Sequence, residues 1–323
     1  MSELRKVQQT PTGTYFICLP REWAKNQSLQ KGSQVNIEST KDGKLLIDTQ
    51  FDVEPQPKII SLKIGPYLNR EIVGNYLLGY DIIRVEAKTR IDSTMRNQIK
   101  STANSLAGLM IVEETTTLMV LQCMMQQPFA SPKKLLQRNQ GSAALMLRDA
   151  ANSFINRDTD MAKNVIDRDD ENNKFYFLLV RILRTIIQNP RQGEKFEITP
   201  IECLDYRLAA SLIESIGDAC VQIATSTLSI ADTKFSSEVR KLLIELHCVC
   251  FEASEQAFRA FLNKDISIAE NVRLMRTKIE TTSIELENAA KFASVDLMPQ
   301  ILSVVSFLKQ TYGYSVDLAD LVV

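Results

Sequence analysis

This chain of 323 residues is poor in the residues that usually announce chemistry. It has one histidine, His247, so zinc sites and histidine-based nucleophilic catalysis have almost nothing to draw on. Its six cysteines, Cys18, Cys123, Cys203, Cys220, Cys248 and Cys250, form no Cys-x-x-Cys pair and sit mostly in apolar stretches. They read as buried free thiols of a reducing compartment. There is no Gly-x-Gly-x-x-Gly and no Gly-Lys-Ser/Thr phosphate loop. No apolar run reaches the roughly 18 residues of a membrane span. The chain begins Met-Ser-Glu-Leu-Arg-Lys, without the pattern of a secretory signal, so a cytoplasmic protein is expected. Net charge is −1, which leaves no global basic field. No catalytic residue stands out, and an enzyme is not expected.

What is present is a division into three parts. Residues 1–51 read as β-β-α-β-β. Strands cover Arg5–Gln9 and Thr14–Leu19 around the turn Pro11-Thr-Gly13; a short helix covers Arg21–Leu29. Two more strands, Val35–Glu38 and Lys44–Ile47, flank the hairpin turn at Lys41-Asp42-Gly43. So short a unit buries little apolar surface and needs a partner. After the linker Pro55-Gln56-Pro57, residues 52–127 read as β-α-β-α-β-β, with Asp92 placed to cap the second helix. Residues 128–323 read as six helices, near 133–156, 159–188, 201–230, 235–263, 266–292 and 299–321.

The helical part contains a repeat. Phe154-Ile-Asn-Arg-Asp158 recurs as Phe261-Leu-Asn-Lys-Asp265, and Ala162-Lys-Asn-Val165 as Ala269-Glu-Asn-Val272, both at an offset of 107. One shared offset argues for two tandem three-helix bundles, about 133–230 and 235–323. Within the third helix, Glu214 and Asp218 lie one turn apart on one face, among Leu212, Ile213, Ile216, Val221 and Ile223. Two carboxylates so placed raise each other's pKa unless a cation separates them. They read either as a hard-oxygen metal site or as an ordinary acidic pair on a helix surface.

Two resemblances add to these readings. Arg207-Leu-Ala-Ala-Ser-Leu-Ile-Glu-Ser-Ile-Gly-Asp218 and the tandem bundles resemble the PhoU family of phosphate-uptake regulators. That resemblance implies an acidic metal motif at Glu214 and Asp218, with Asp170 from the run Asp167–Glu171 as a third carboxylate. The metal would be iron, manganese, zinc or magnesium, at the first bundle only. The second bundle puts Lys309 and Gly313 at the two motif positions, and a resident lysine repels a cation. Asn173 stands where an acid is usual.

Arg5-Lys-Val, Gly13–Pro20, Leu19-Pro-Arg-Glu-Trp-Ala-Lys25 and Lys31-Gly-Ser-Gln-Val-Asn-Ile37 resemble the AbrB/SpoVT family of DNA-binding domains. This implies a swapped-hairpin β-barrel shared by two chains. Arg5, Lys6, Arg21 and Lys25 would contact DNA at a roughly palindromic operator. Residues 1–51 carry seven Lys/Arg against five Asp/Glu, a small excess for phosphate neutralisation. The fold class expected is therefore α+β multidomain and mainly α, as in archaeal fusion regulators of this type. The function expected is a homodimeric, DNA-binding transcriptional regulator of phosphate uptake with a helical sensor or docking domain. The alternative is a PhoU-like regulator that docks on a phosphate transporter or signalling kinase and does not bind DNA.

Overall fold

Short strands joined by tight turns open the chain, and long helices close it. The computed structural model describes residues 3–39, 43–49, 56–125, 131–189, 193, 195–230 and 234–322. Lys41 and Asp42 of the expected hairpin turn, and Pro55, Pro128, Pro190 and Asp232, lie outside them. The chain divides into two compact units, 1–56 and 57–323.

The first unit follows the expected order. β1 (Gln8–Gln9) pairs antiparallel with β2 (Tyr15–Phe16), α1 spans Arg21–Asn26, and β3 (Asn36–Ser39) pairs with β4 (Leu45–Asp48). Gly13, at φ +93°, supplies the left-handed residue that closes the first hairpin. The two hairpins form two separate sheets, and among the described residues of one chain no closed barrel forms. The reason lies in burial: no described residue of 3–49 is buried. A single copy has no core around which its hairpins could close.

The second unit opens with a four-stranded sheet. β5 (Ile59–Lys63), α2 (Leu68–Leu77), β6 (Ile82–Glu86), α3 (Ser93–Asn104), β7 (Leu109–Glu114) and β8 (Leu118–Cys123) follow in order. The strand order is β5-β6-β8-β7, with β5 and β6 parallel and the other pairs antiparallel. Parallel β5 and β6 need a crossover, and α2 supplies it. Asp92 caps α3, its side chain accepting from the Met95 amide. Leu62, Ile72, Tyr76, Ile83, Ile99 and Leu121 belong to a small core under α2 and α3.

The helices are α4 (Pro132–Asn156), α5 (Thr159–Gln188), α6 (Pro200–Leu228), α7 (Ser237–Asn263), α8 (Ile266–Leu274), α9 (Arg276–Ala290) and α10 (Met298–Ala319). The repeat marks equivalent corners. Arg157 and Lys264 both end a helix in the left-handed region, at φ 58° and 53°. Asp158 and Asp265 then cap the next helix through their side chains. The single helix expected over 266–292 is two: the Met275 amide bonds to the Val272 carbonyl, a tighter i→i+3 turn that interrupts the ladder.

α4, α5 and α6 form the first bundle, and α7 to α10 the second. α4 and α7 pack antiparallel. Gln140 reaches Ser254 and Glu255 near one end, and Arg240 reaches Ile155 and Asn156 near the other. One apolar core runs through both bundles. α6 alone among the described helices is long and apolar enough to cross a membrane, and half of that stretch is buried inside the bundle.

The α/β layer keeps its own core but docks on α5. Arg181 is nearly buried and donates to the carbonyls of Tyr76 (2.6 Å) and Tyr80 (2.9 Å) and to Asp81 Oδ1 (3.1 Å). Its guanidinium also lies over the Tyr76 ring, 5.0 Å from the centroid. A cation at a helix C-terminus meets carbonyls that have no partner within the helix. Arg181 therefore closes the end of α2 and ties it to the bundle. Lys58 and Gln188 add a hydrogen bond of 3.0 Å.

Candidate functional site

The acidic face arises where α5 crosses α6. α6 begins at a capping box: the Thr199 hydroxyl accepts from the Glu202 amide, and Glu202 accepts from the Thr199 amide. That fixes the start of a helix whose buried line runs Cys203, Ala210, Ile213, Gly217, Cys220 and Ala224. Glu214 and Asp218 flank this line, Glu214 half-buried and Asp218 at the exposed rim. α5 buries Val165, Asn172 and Leu179 at seven-residue spacing.

Gly217 allows the close crossing. A Cβ there would stand 2.7 Å from Asn172 Nδ2 and 3.8 Å from Asp169 Oδ1. Asn172 is fully buried, and neither its Nδ2 nor its Oδ1 has a partner among the described residues. Asp169 Oδ1 is also buried without a partner, while its Oδ2 accepts from Asn173 at 2.9 Å. Buried polar atoms are almost always paired, by protein or by water. Asn139, Gln140, His247 and Ser283 also carry unpaired buried atoms, but at this crossing the orphans of Asp169 and Asn172 lie beside carboxylates, where a polar partner fits.

The electrostatics agree with crowding. Burial pushes Glu214 up to about 7, and the charges of Asp218 and Asp169 add to this, while Arg207 opposes it. Asp169 is raised by burial and then by Asp218, with Asn173 pulling the other way. Asp218 is raised by the partial burial of its inner side. Arg207, one face along α6, rests over the Tyr176 ring at 5.1 Å. The site is three mutually repelling carboxylates with one guanidinium nearby.

Asp170 is exposed, as are Asp167 and Glu171, whereas Asp169 of the same run is half-buried and its charge acts on Glu214. Each helical residue turns about 100°. Asp169 follows Val165 by four and precedes Asn172 by three, so it shares their inward face, and Asp170 turns away. That phase is readable in the sequence from the spacing of Val165, Asn172 and Leu179.

The donor chemistry of Glu214, Asp218 and Asp169 suits a hard cation. Assembly does not yet follow: among the described residues no three His, Cys, Asp or Glu side chains stand together as a metal-holding group.

The second bundle differs at each matching place. Lys309 and Gly313 are exposed, and Lys309 pairs with Glu287 at 3.9 Å. The offset of 107 sets Arg276 against Asp169 and Ile279 against Asn172. With Lys309 matched to Glu214, Tyr312 falls where Gly217 stands, and its hydroxyl donates to the Val272 carbonyl at 3.1 Å. His247 is buried, which pushes its imidazole down to about 4 and keeps it neutral. Cys250 is buried with its thiol donating to the Leu308 carbonyl; Cys248 is exposed. His247 and Cys250 are core residues, not a ligand pair.

In the first unit, Arg5, Lys6, Arg21 and Lys25 are all exposed. α1 brings Arg21 and Lys25 together, one turn apart. Arg5 pairs with Glu3 at 2.6 Å.

Comparison with known proteins points one way. Residues 137–227 match the PhoU domain family. The fold is similar to PhoU from Pseudomonas aeruginosa, with a TM-score of 0.53 and 16% identity, over 59% of this chain and 93% of that one. It is also similar to the phosphate transport system regulatory protein PhoU from Streptococcus pneumoniae, with a TM-score of 0.50 and 16% identity, over 59% and 92%. No curated protein matches the chain. The helical part of this chain thus carries a match to the PhoU domain in its first bundle and has the fold of PhoU proteins.

Proposed function

We propose that this chain is a cytoplasmic PhoU-type regulator of phosphate transport that acts by docking on another protein, a phosphate transporter or a signalling kinase. The observation that carries this reading is the helical half itself. Its first bundle matches the PhoU domain, and its fold is shared with two PhoU proteins, one of them named as a phosphate transport system regulator. The acidic crossing of α5 and α6 is the face assigned to regulation. The reading includes a divalent or trivalent cation at the first bundle only, around which Glu214, Asp218 and Asp169 would have to draw together. The orphaned atoms of Asp169 and Asn172 support it. The test is the rate of phosphate uptake by cells with and without the chain. Uptake that no longer falls when phosphate is plentiful is expected on its removal; an unchanged response would sink the reading.

A second reading concerns the first unit: two copies pair there and bind DNA. Its support is specific. The two hairpins and helix follow the expected order, Leu4, Val7, Tyr15, Ile17, Ile37 and Leu45 stand exposed, and Arg21 and Lys25 share one face of α1. A unit with its apolar side chains in solvent is completed by a second copy. If Arg5, Lys6, Arg21 and Lys25 neutralise phosphates, replacing Arg5 and Arg21 by Ala flattens the salt slope of DNA retention. Retention unchanged on the protein's own promoter would rule out these contacts.

A further inference from the structure

Helices α2 and α3 cover one face of the second unit's sheet; the other face is exposed at its edges, while Val120 at its centre is 7% exposed. Side chains alternate across a strand. Ile83, Val85, Met119 and Leu121 are buried on the side where α2 and α3 pack. The register then fixes what stands on the other side. One row across the sheet is Ile59, Ile82, Gln122 and Met110; the next is Ser61, Arg84, Val120 and Glu113. Lys63 and Glu86 lie one row further along β5 and β6. Ile59 and Met110, on the two outermost strands, are 48% and 58% exposed. Lys63, Arg84 and Glu113 are exposed, and none has an ion-pair partner among the described residues.

This face is complementary to itself. A two-fold axis along the strands, between β6 and β8, reverses the order β5-β6-β8-β7 and keeps every row in place. β5 of one copy then lies over β7 of the other. Ile59 covers Met110 of the second copy. Glu113 of the second copy comes over Ser61, with Arg84 beside it and Lys63 one row along. The two-fold repeats both contacts, so Glu113 of one face meets Arg84 and Lys63 of the other, with Glu86, which accepts from Ser61 at 3.0 Å, beside Lys63. We propose that the open sheet face packs against the same face of a second copy of this chain.

The area sets how the contact works. Four strands about 4.8 Å apart and five residues long, at about 3.3 Å each, cover roughly 300 Å² per copy. A stand-alone interface needs about 800 Å² per partner. The sheet contact is therefore a second contact between chains already paired through residues 1–56, and it rests on that reading. Pairing there raises the effective concentration of the second contact to the order of millimolar.

Crosslinking of the full chain tests this. Cys18 and Cys248, the exposed thiols, are replaced by Ser, and Ile59→Cys and Met110→Cys are introduced, singly and together. A thiol reagent spanning about 10 Å bridges facing sheets but not the outer strands of one sheet. The double-cysteine chain is expected to give a covalent dimer with 59 linked to 110 between copies. Arg84→Glu should cut that product at least five-fold, and adding Glu113→Arg should restore it. No product from a chain that sediments as a dimer would overturn the sheet contact and leave the pairing of residues 1–56 standing. A monomeric chain would overturn both. A product indifferent to Arg84→Glu, or a link from 59 to 59, would overturn the proposed register.

Discussion

The two bundles share a corner and differ at the crossing. Phe154–Asp158 and Phe261–Asp265 build the same left-handed residue and the same aspartate cap. Where the first bundle has Asp169, Asn172, Glu214 and Gly217, the second has Arg276, Ile279, Lys309 and Tyr312. The first crossing is acidic, closely packed over a glycine, and leaves buried polar atoms without partners. The second places an aromatic ring and an apolar side chain there; Lys309 lies outside in an ion pair with Glu287, and Arg276 interacts with the Tyr312 hydroxyl. Repelling carboxylates and orphaned amides cost a scaffold stability, which is why the proposed function is placed at the first crossing. The first bundle also carries the α/β layer, through Arg181.

That last difference gives the largest expected effect. Arg181→Ala leaves Asp81 and the end of α2 without their cation. A loss of about 3 kcal/mol is expected, or two unfolding transitions in place of one as the α/β layer comes free. Denaturant melts followed by fluorescence and by circular dichroism check it. A loss under about 0.5 kcal/mol, the range of an ordinary surface change, would mean that the layer is held by other contacts.

Next comes Gly217→Ala. Its Cβ meets Asn172 at 2.7 Å inside a packed crossing. Overpacking should cost about 1–3 kcal/mol, beyond the roughly 1 kcal/mol that alanine gains in a helix. Adding Asn172→Ala should recover most of it, because the two changes touch one another. Equal costs with and without the second change would place the strain elsewhere.

The smallest effect is the most diagnostic in its pH dependence. Glu214 titrates near 7 in the fold, well above an exposed glutamate. The unfolded chain ionises first as pH rises, so the fold loses stability between about pH 4.5 and pH 7 and carries the full penalty above. Glu214→Gln should therefore stabilise the protein by about 1–2 kcal/mol at pH 8, allowing for solvent screening, and by nearly nothing at pH 4.5. Lys309→Gln, its counterpart on the surface of the second bundle, should stay within about 0.5 kcal/mol at both. A gain from Glu214→Gln that does not vary with pH would detach it from this carboxyl.

Much of this architecture was legible in the sequence, for physical reasons. Helix bounds followed from apolar periodicity and from the repeat's aspartates, Asp158 and Asp265, which cap locally. The middle β-α-β-α-β-β order followed from strand alternation and the Asp92 cap. Asp169 was missed because the run Asp167–Glu171 offers a carboxylate to several sides of the helix, and only the helical phase chooses among them. The break at Met275 has no glycine or proline to announce it. Arg181 was missed because its partners lie about 100 residues away. Its one local sign is a lone charge within Leu178-Leu179-Val180-Arg181-Ile182-Leu183. The expected barrel is not seen: among the described residues the two hairpins form separate sheets and none of their residues is buried.

The central claim is that regulation belongs to the first crossing and not to its counterpart. It is tested most directly by restoring the chain to cells that lack it and measuring phosphate uptake at high external phosphate. Two variants of matched severity are compared: Glu214→Gln with Asp218→Asn, and Arg276→Gln with Lys309→Gln, each first shown to melt cooperatively. The account predicts that the first variant fails to restrain uptake and that the second restrains it as the unaltered chain does. Restraint by the first variant, or its loss in the second alone, would contradict the account.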